Sequence, residues 1–374
     1  MLPYTGDYTE HIDPQKPSLT FYSFTPRPLM RGGMYQMDDE LVALLIEAHR
    51  NIGFLEGLVK YAPNKEAFAE LILLKECTYS HMIDYDSPDF KEVLTRRGTG
   101  KGNITPITNL EAAYKAAANL EIHAPDLSRI CGIAHNGESE DNSIGVREHQ
   151  TFWLGAKTNL KAYNPTAPYA VLPALADISA YLYNDHNTDP LIKAALVHYQ
   201  FEMIHPFERY NGIIGRILVP MVLRDTIKET TPLICLSEYL YHNKNEYFDL
   251  LRATQYSGGY VRWIKFFVCA VGQAAKRSAE QLIQYEQATA EAEDRLIHIG
   301  NLPKSVYSVL EHLKRFPITT VSSAAKHTGL SFNSASKAIH VLQEHEFVTQ
   351  IGNDERNRMW EYALILYRLY IGNM

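Results

Sequence analysis

Residues 204–216 read IHPFERYNGIIGR. A histidine before proline is biased out of helical backbone, so His205 closes the apolar helical pattern that precedes it. Asn211-Gly212 then leads into a second apolar run, the composition of a loop feeding a helix. Free N–H groups at a helix start, a glycine that admits close approach and the helix dipole together make an anion site. Arg216 follows about one helical turn later and offers a bidentate phosphate donor. A histidine beside a phosphate cradle suits phosphoryl or nucleotidyl transfer, with His205 as general base. Taken singly, the same residues also fit a helix–loop–helix with a buried histidine.

The remaining composition narrows the class. The chain has 374 residues, 46% hydrophobic and 21% charged, an ordinary globular balance with length for two or three packed units. A net charge of −7 argues against a nucleic-acid or membrane surface over the whole chain. The cysteines at 77, 131, 235 and 269 show no paired or metal-binding spacing, which points to free thiols in a reducing, cytoplasmic setting. No apolar run approaches the ~18 residues that span a bilayer, and the polar, proline-bearing N-terminus is no secretory signal.

The spacing predicts a mainly α fold. Residues 1–35 read as an extended arm. Helices are expected at 38–60, 65–83, 109–135, 169–184, 190–204, 215–229, 244–256 and 259–295. The stretch 137–168 carries the Gly, Asn and Pro of loops and a hairpin. Residues 300–374 give a short helix, a helix stopped by Gly329, a third helix and a two-strand wing, the order of a winged-helix module. Its third helix offers Asn333, Lys337 and His340 against Glu344 and Glu346, so DNA binding and protein contact are both left open. The division that follows is 1–95, an N-terminal arm and helices; 96–297, a central core; and 298–374, the C-terminal unit.

The loop resembles the Fic-family motif HPFx(D/E)GNGRxxR at His205, Pro206, Phe207, Asn211, Gly212 and Arg216, with Gly215 as in a common variant. GVREHQTFWLGAK is similar to the segment before that family's β-hairpin flap, and ELILLKECTYSHMID to its N-terminal inhibitory helix. The resemblance implies a Fic helical core with a short flap, and transfer of AMP from ATP to a protein hydroxyl. It implies His205 as base, Asn211 and Gly212 as the anion hole, and Arg216 at the β-phosphate or paired with an inhibitory carboxylate. It places Tyr247 and Gln255 near adenine, a target-protein segment on the flap near 151–168, and Ser80 and Asp84 in the inhibitory motif. A homodimer is compatible with it.

Three positions depart from the pattern. Arg209 stands where an acidic residue normally holds Mg²⁺, Tyr210 where a glycine stands, and Ile213 where an arginine stands. Arginine cannot ligate a cation, so no metal ligand is expected, although Arg209 could act as a fixed positive charge at the nucleotide. Asp84 is one methylene shorter than the family's glutamate, which puts its reach to Arg216 in question. The alternative function is therefore an inactive Fic-fold protein that binds nucleotide or acts through its winged helix.

Overall fold

The computed structural model describes residues 5–12, 20–138, 143–151, 164–227, 233–352 and 358–370. The chain opens with β1 (Gly6–Ile12) and β2 (Thr20–Pro26), an antiparallel pair in which Gly6 faces Pro26. The expected arm is thus a hairpin. Phe24 on β2 is buried, and its carbonyl accepts from Thr166 Oγ1 at 3.0 Å. That bond ties the hairpin to the strand-like run leading into the central helices.

Next come α1 (Asp39–Tyr61) and α2 (Lys65–Asp84). Asp38 caps α1 by accepting from Leu41 N at 2.8 Å. Then comes α3 (Phe90–Thr99), and the stretch 109–135, expected to be helical, is covered by α4 (Thr105–Ala117) and α5 (Ala124–Asn136) with a break between them. The break has a local cause: Pro125 lacks an N–H and suits only a first turn, and the His123 side chain caps the new start by accepting from Asp126 N at 3.3 Å.

Helices α6 (Pro168–Asn184), α7 (Pro190–Ile204) and α8 (Asn211–Leu223) follow. Asp189 caps α7 ahead of Pro190, as its sequence requires. Every residue of α7 from Leu191 to Ile204 is buried except Lys193. A helix enclosed on all sides is the axis of its domain. Helix α8 starts a turn earlier than expected, directly at Asn211, and packs against α7. Then come α9 (Leu236–His242), α10 (Lys244–Ser257) and α11 (Tyr260–Ile299), the last extending along α1.

The C-terminal part runs α12 (Lys304–Arg315), β3 (Ile318–Thr320), α13 (Val321–Thr328), α14 (Phe332–Glu344), β4 (Thr349–Ile351), β5 (Met359–Glu361) and α15 (Ala363–Tyr370). Its strands form a sheet in the order β3-β5-β4. Thr320 caps α13 and Gly329 ends it in the left-handed conformation, as the sequence predicts. Helix α15 was not anticipated. The Leu369 carbonyl accepts from Lys75 Nζ at 3.3 Å and Gln281 Nε2 at 2.7 Å, which fastens α15 to α2 and α11. No described helix is long and apolar enough to cross a membrane.

Helix α2 is bolted into this frame by buried polar groups. Lys75 pairs with Glu238 of α9 at 2.8 Å, both side chains almost fully enclosed. Neighbouring Glu76 accepts from Ser237 N at 2.8 Å, Ser237 Oγ at 2.5 Å and Tyr114 OH at 2.7 Å. Such groups are tolerated in a core only because each finds partners.

The α1–α11 crossing depends on Gly272. A Cβ there would lie 2.9 Å from both Cα and Cβ of Ala48. Backbone must move to admit it, so Gly272→Ala is expected to destabilise the protein by about 1–3 kcal/mol. Thermal unfolding of the variant beside wild type measures this, and an unchanged midpoint would refute the tight crossing.

Candidate functional site

The loop between α7 and α8 is held in an unfavourable backbone path. His205 closes α7 at φ 51°, and Tyr210 precedes α8 at φ 67°, both left-handed and neither a glycine. Such conformations cost about 1–3 kcal/mol each and persist only where the surroundings enforce them. Two side chains do so here. Arg147, buried, donates from Nε to the His205 carbonyl at 2.7 Å, from Nη2 to Ile204 O at 3.2 Å and to Thr166 O, and from Nη1 to His149 O at 3.0 Å. Its own N–H donates to Pro206 O at 2.9 Å. Asn211 closes the other side: Oδ1 accepts from Phe207 N at 2.8 Å and Nδ2 donates to Phe207 O at 2.7 Å. The Asn211 amide is therefore a loop clamp, and the donors left for an anion are backbone N–H groups of the first turn of α8. No side chain caps that turn.

The loop lines a cavity of about 450 Å³ together with the end of α2 and the start of α10. His205, Arg209, Asn211, Gly212, Arg216 and Tyr247 all border it, so the structure brings these six expected residues together. Asp84 does too. Gln255 does not: it is buried beside Tyr8 of β1, away from the cavity lining. The flap expectation falls largely on residues 152–163, outside the described set, although Thr151 reaches the cavity.

Arg216 rises from α8 into the floor and is 1% exposed. Its Nε donates to Ser80 Oγ at 2.8 Å, and Nη2 donates to Ser80 O at 2.8 Å and Asp84 Oδ2 at 2.6 Å. The reach of the shorter Asp84 side chain, left in question by its length, spans the gap to Arg216. The reason is Gly212. A Cβ there would meet Asp84 Oδ2 at 2.9 Å, so the missing side chain lets α2 approach. Burial alone would disfavour the guanidinium charge, but Asp84 beside it more than compensates and raises the Arg216 pKa.

Behind Arg216 lie two residues the sequence did not single out. Glu202 sits two residues before the end of α7, and a Cβ on Gly215 would lie 2.2 Å from its Oε1. Gly215 is thus a space for that carboxyl. Burial pushes the Glu202 pKa up to about 8, with Arg216 opposing and Asp84 assisting. His198, four residues earlier on the same face, donates from Nδ1 to Gly215 O at 2.8 Å, and its Nε2 accepts from Tyr247 OH at 2.9 Å. Burial lowers its pKa to about 3, which keeps the ring neutral, and the Gly215 carbonyl, able only to accept, sets the tautomer. Tyr247 is thereby positioned by the α7–α8 pair. The only sequence signal for these residues was their helical spacing, His198 seven and Glu202 three residues before His205.

His205 itself is neutral at physiological pH. Burial, then the nearby Arg147 charge, lowers its pKa to about 3 against a hydrogen bond to the Glu202 backbone. An uncharged imidazole at a cavity floor can accept a proton. Tyr210 packs its ring against Tyr85 at 5.5 Å and His135 at 5.3 Å, so the bulky substitution forms part of the cavity wall. Ile213 is fully buried in the core and contributes no charge.

The family model described as Fic/DOC family matches residues 115–223. This chain contains a Fic domain. A Fic family protein from Desulfovibrio desulfuricans has the same overall fold, with a TM-score of 0.55 at 16% identity, covering 88% of this chain and 98% of that one. A probable protein adenylyltransferase of Aquifex aeolicus, aq_aa38, is 26% identical over 195 residues, 52% of this chain and 51% of that protein. The protein adenylyltransferase fic-1 of Caenorhabditis briggsae is 39% identical over 64 residues, 16% of this chain and 12% of that protein. The chain thus matches about half the length of the first relative and about an eighth of the second.

A divalent cation is a poor fit to the side chains of this Fic domain. No group of three His, Cys, Asp or Glu that could hold a metal occurs among the described residues. Asp84 is committed to Arg216, and Arg209 is exposed at the position of the usual acidic ligand.

Glu202 gives a pH signature. The folded protein keeps its proton up to about pH 8, whereas an unfolded carboxyl releases it near 4.5. Its contribution to stability is therefore full below pH 4.5 and is lost as pH rises from 4.5 to 8. Glu202→Gln, which mimics the protonated form, should gain in melting temperature over wild type progressively across that window. A gap that stays constant with pH would show that Glu202 is ionised in the fold.

Proposed function

We propose that this Fic domain is a protein adenylyltransferase held in check by Asp84. ATP would lay its phosphates over the first turn of α8, with Tyr247 at the base of the purine side. A hydroxyl of the target protein attacks the α-phosphorus, His205 takes the hydroxyl proton, pyrophosphate leaves, and AMP is joined to the target through a new P–O bond. The relatives named as protein adenylyltransferases support this reading. The observation that carries it is the convergence of neutral His205, the uncapped start of α8 and Arg216 on one cavity. The target segment would enter past Thr151.

In this reading the Ser80–Asp84 grip is a brake. While Nη2 is held by Asp84 and Ser80 and Nε by Ser80, only Nη1 of Arg216 is left for a phosphate. A second reading is favoured by one observation: Arg209, Tyr210 and Ile213 replace three motif residues across the loop and the start of α8 at once, which suits a nucleotide-binding regulator without transfer activity. There the C-terminal unit, which exposes Asn333, Lys337 and His340 on α14 as a winged helix would, carries the biological contact to DNA or protein.

Incubation of the purified chain with ATP labelled on the α-phosphate separates these readings. Wild type should label itself or a bait weakly, and Asp84→Ala should raise labelling by about tenfold or more, because one charge-assisted hydrogen bond is worth about 1.5–3 kcal/mol. His205→Ala in the Asp84→Ala background should abolish it. Labelling that survives loss of His205, or none in Asp84→Ala, would defeat the transferase reading.

A further inference from the structure

We propose that the nucleotide site of this Fic domain takes a nucleoside polyphosphate without a divalent cation, Arg209 supplying the positive charge. This rests on the nucleotide reading above and concerns how the phosphates are neutralised. The cavity is bordered by Arg209 from the loop, Arg216 from α8, and Lys244 and Arg252 from α10. Among the described residues only Asp84, Glu202 and Glu208 oppose them on its lining. Asp84 is spent on Arg216 at 2.6 Å. Glu202 is enclosed behind Gly215, and burial keeps it protonated to about pH 8. Glu208 alone is then an exposed carboxylate, and it adjoins Arg209.

Among the described residues the lining therefore sets Arg209, Arg216, Lys244 and Arg252 against Asp84 and Glu208, with Asp249 also 3.6 Å from Arg252. Such a field attracts a polyphosphate and repels a free divalent cation. A metal–phosphate complex also meets a guanidinium where its carboxylate ligand would stand. Arginine's planar fork offers several donors to phosphate oxygens, so it can take over the charge neutralisation that a cation provides elsewhere. It does so without imposing octahedral geometry. Arg209 is exposed, and its side chain is not part of any described ion pair, so it can turn to the ligand.

The test is calorimetry of ATP binding to the full chain, once with EDTA and once with excess Mg²⁺. Asp84→Ala is run in parallel to raise affinity. Affinity in EDTA should equal or exceed that in Mg²⁺. Arg209→Ala should weaken EDTA binding by about tenfold, the effect of one lost charge-assisted contact. Arg209→Glu should invert the preference, binding about tenfold more tightly with Mg²⁺ than without. Position 209 is exposed, and matching circular dichroism melts will show that both variants fold. If wild type and Asp84→Ala bind ATP only with Mg²⁺, the metal-free inference is overturned and the nucleotide reading stands. If neither binds ATP under any condition, both fall.

Discussion

The arrangement around α8 is organised by one enclosed charge. A guanidinium that is 1% exposed must be hydrogen-bonded and neutralised, because an isolated ion in a low-dielectric interior is costly. Arg216 obtains this from the last turn of α2, through Ser80 and Asp84. That requirement sets the distance between α2 and α8 and selects a small residue at Gly212. On the other flank it selects Gly215, where Glu202 occupies the space of a side chain. Burial raises the Glu202 pKa there, and Arg216, already paired with Asp84, opposes this only in part.

The loop above this centre is a second, dependent construction. Two non-glycine residues sit in left-handed backbone, and the sequence on its own gives no cause for them to do so. Arg147 holds one end by its fan of carbonyl contacts and Asn211 holds the other by a paired amide bond. His205 is consequently aimed by distant chain segments, since Arg147 lies 58 residues away. Its neutral state comes first from burial, to which the charge of the same neighbour adds.

Much of this was readable in the sequence, and the exceptions have physical reasons. His205, Asn211-Gly212 and Arg216 stand out because proline, glycine and helix-start chemistry are local. Most helices followed from periodicity, with α7 capped by Asp189 as its residues dictate. The β1–β2 hairpin was hidden because its pairing partners carry Gly and Pro, and its stability comes from Thr166 and Asn164 far along the chain. Glu202 and His198 look like ordinary polar residues in an apolar helix until α8 is laid against them. The Asp84 contact could not be judged from side-chain length, because helix separation decides it. Gln255 lies off the cavity lining for the related reason that the rotation of α10 fixes which of its residues face the cavity.

The bolts on α2 set the character of any switching at Arg216. Lys75 and Glu76, one and two turns before Ser80 and Asp84, are locked to α9, α4 and the Leu369 carbonyl. Withdrawing the helix as a body would strand a buried ion pair. Release is therefore confined to rotamer change and fraying of the final turn, beside the Tyr85–Tyr210 ring contact. Motions of that size run on nanoseconds to microseconds, far faster than domain rearrangement. A gate of this kind leaks in proportion to its open population rather than toggling, so its set-point is a thermodynamic ratio that single side chains at positions 80, 84 and 85 can tune.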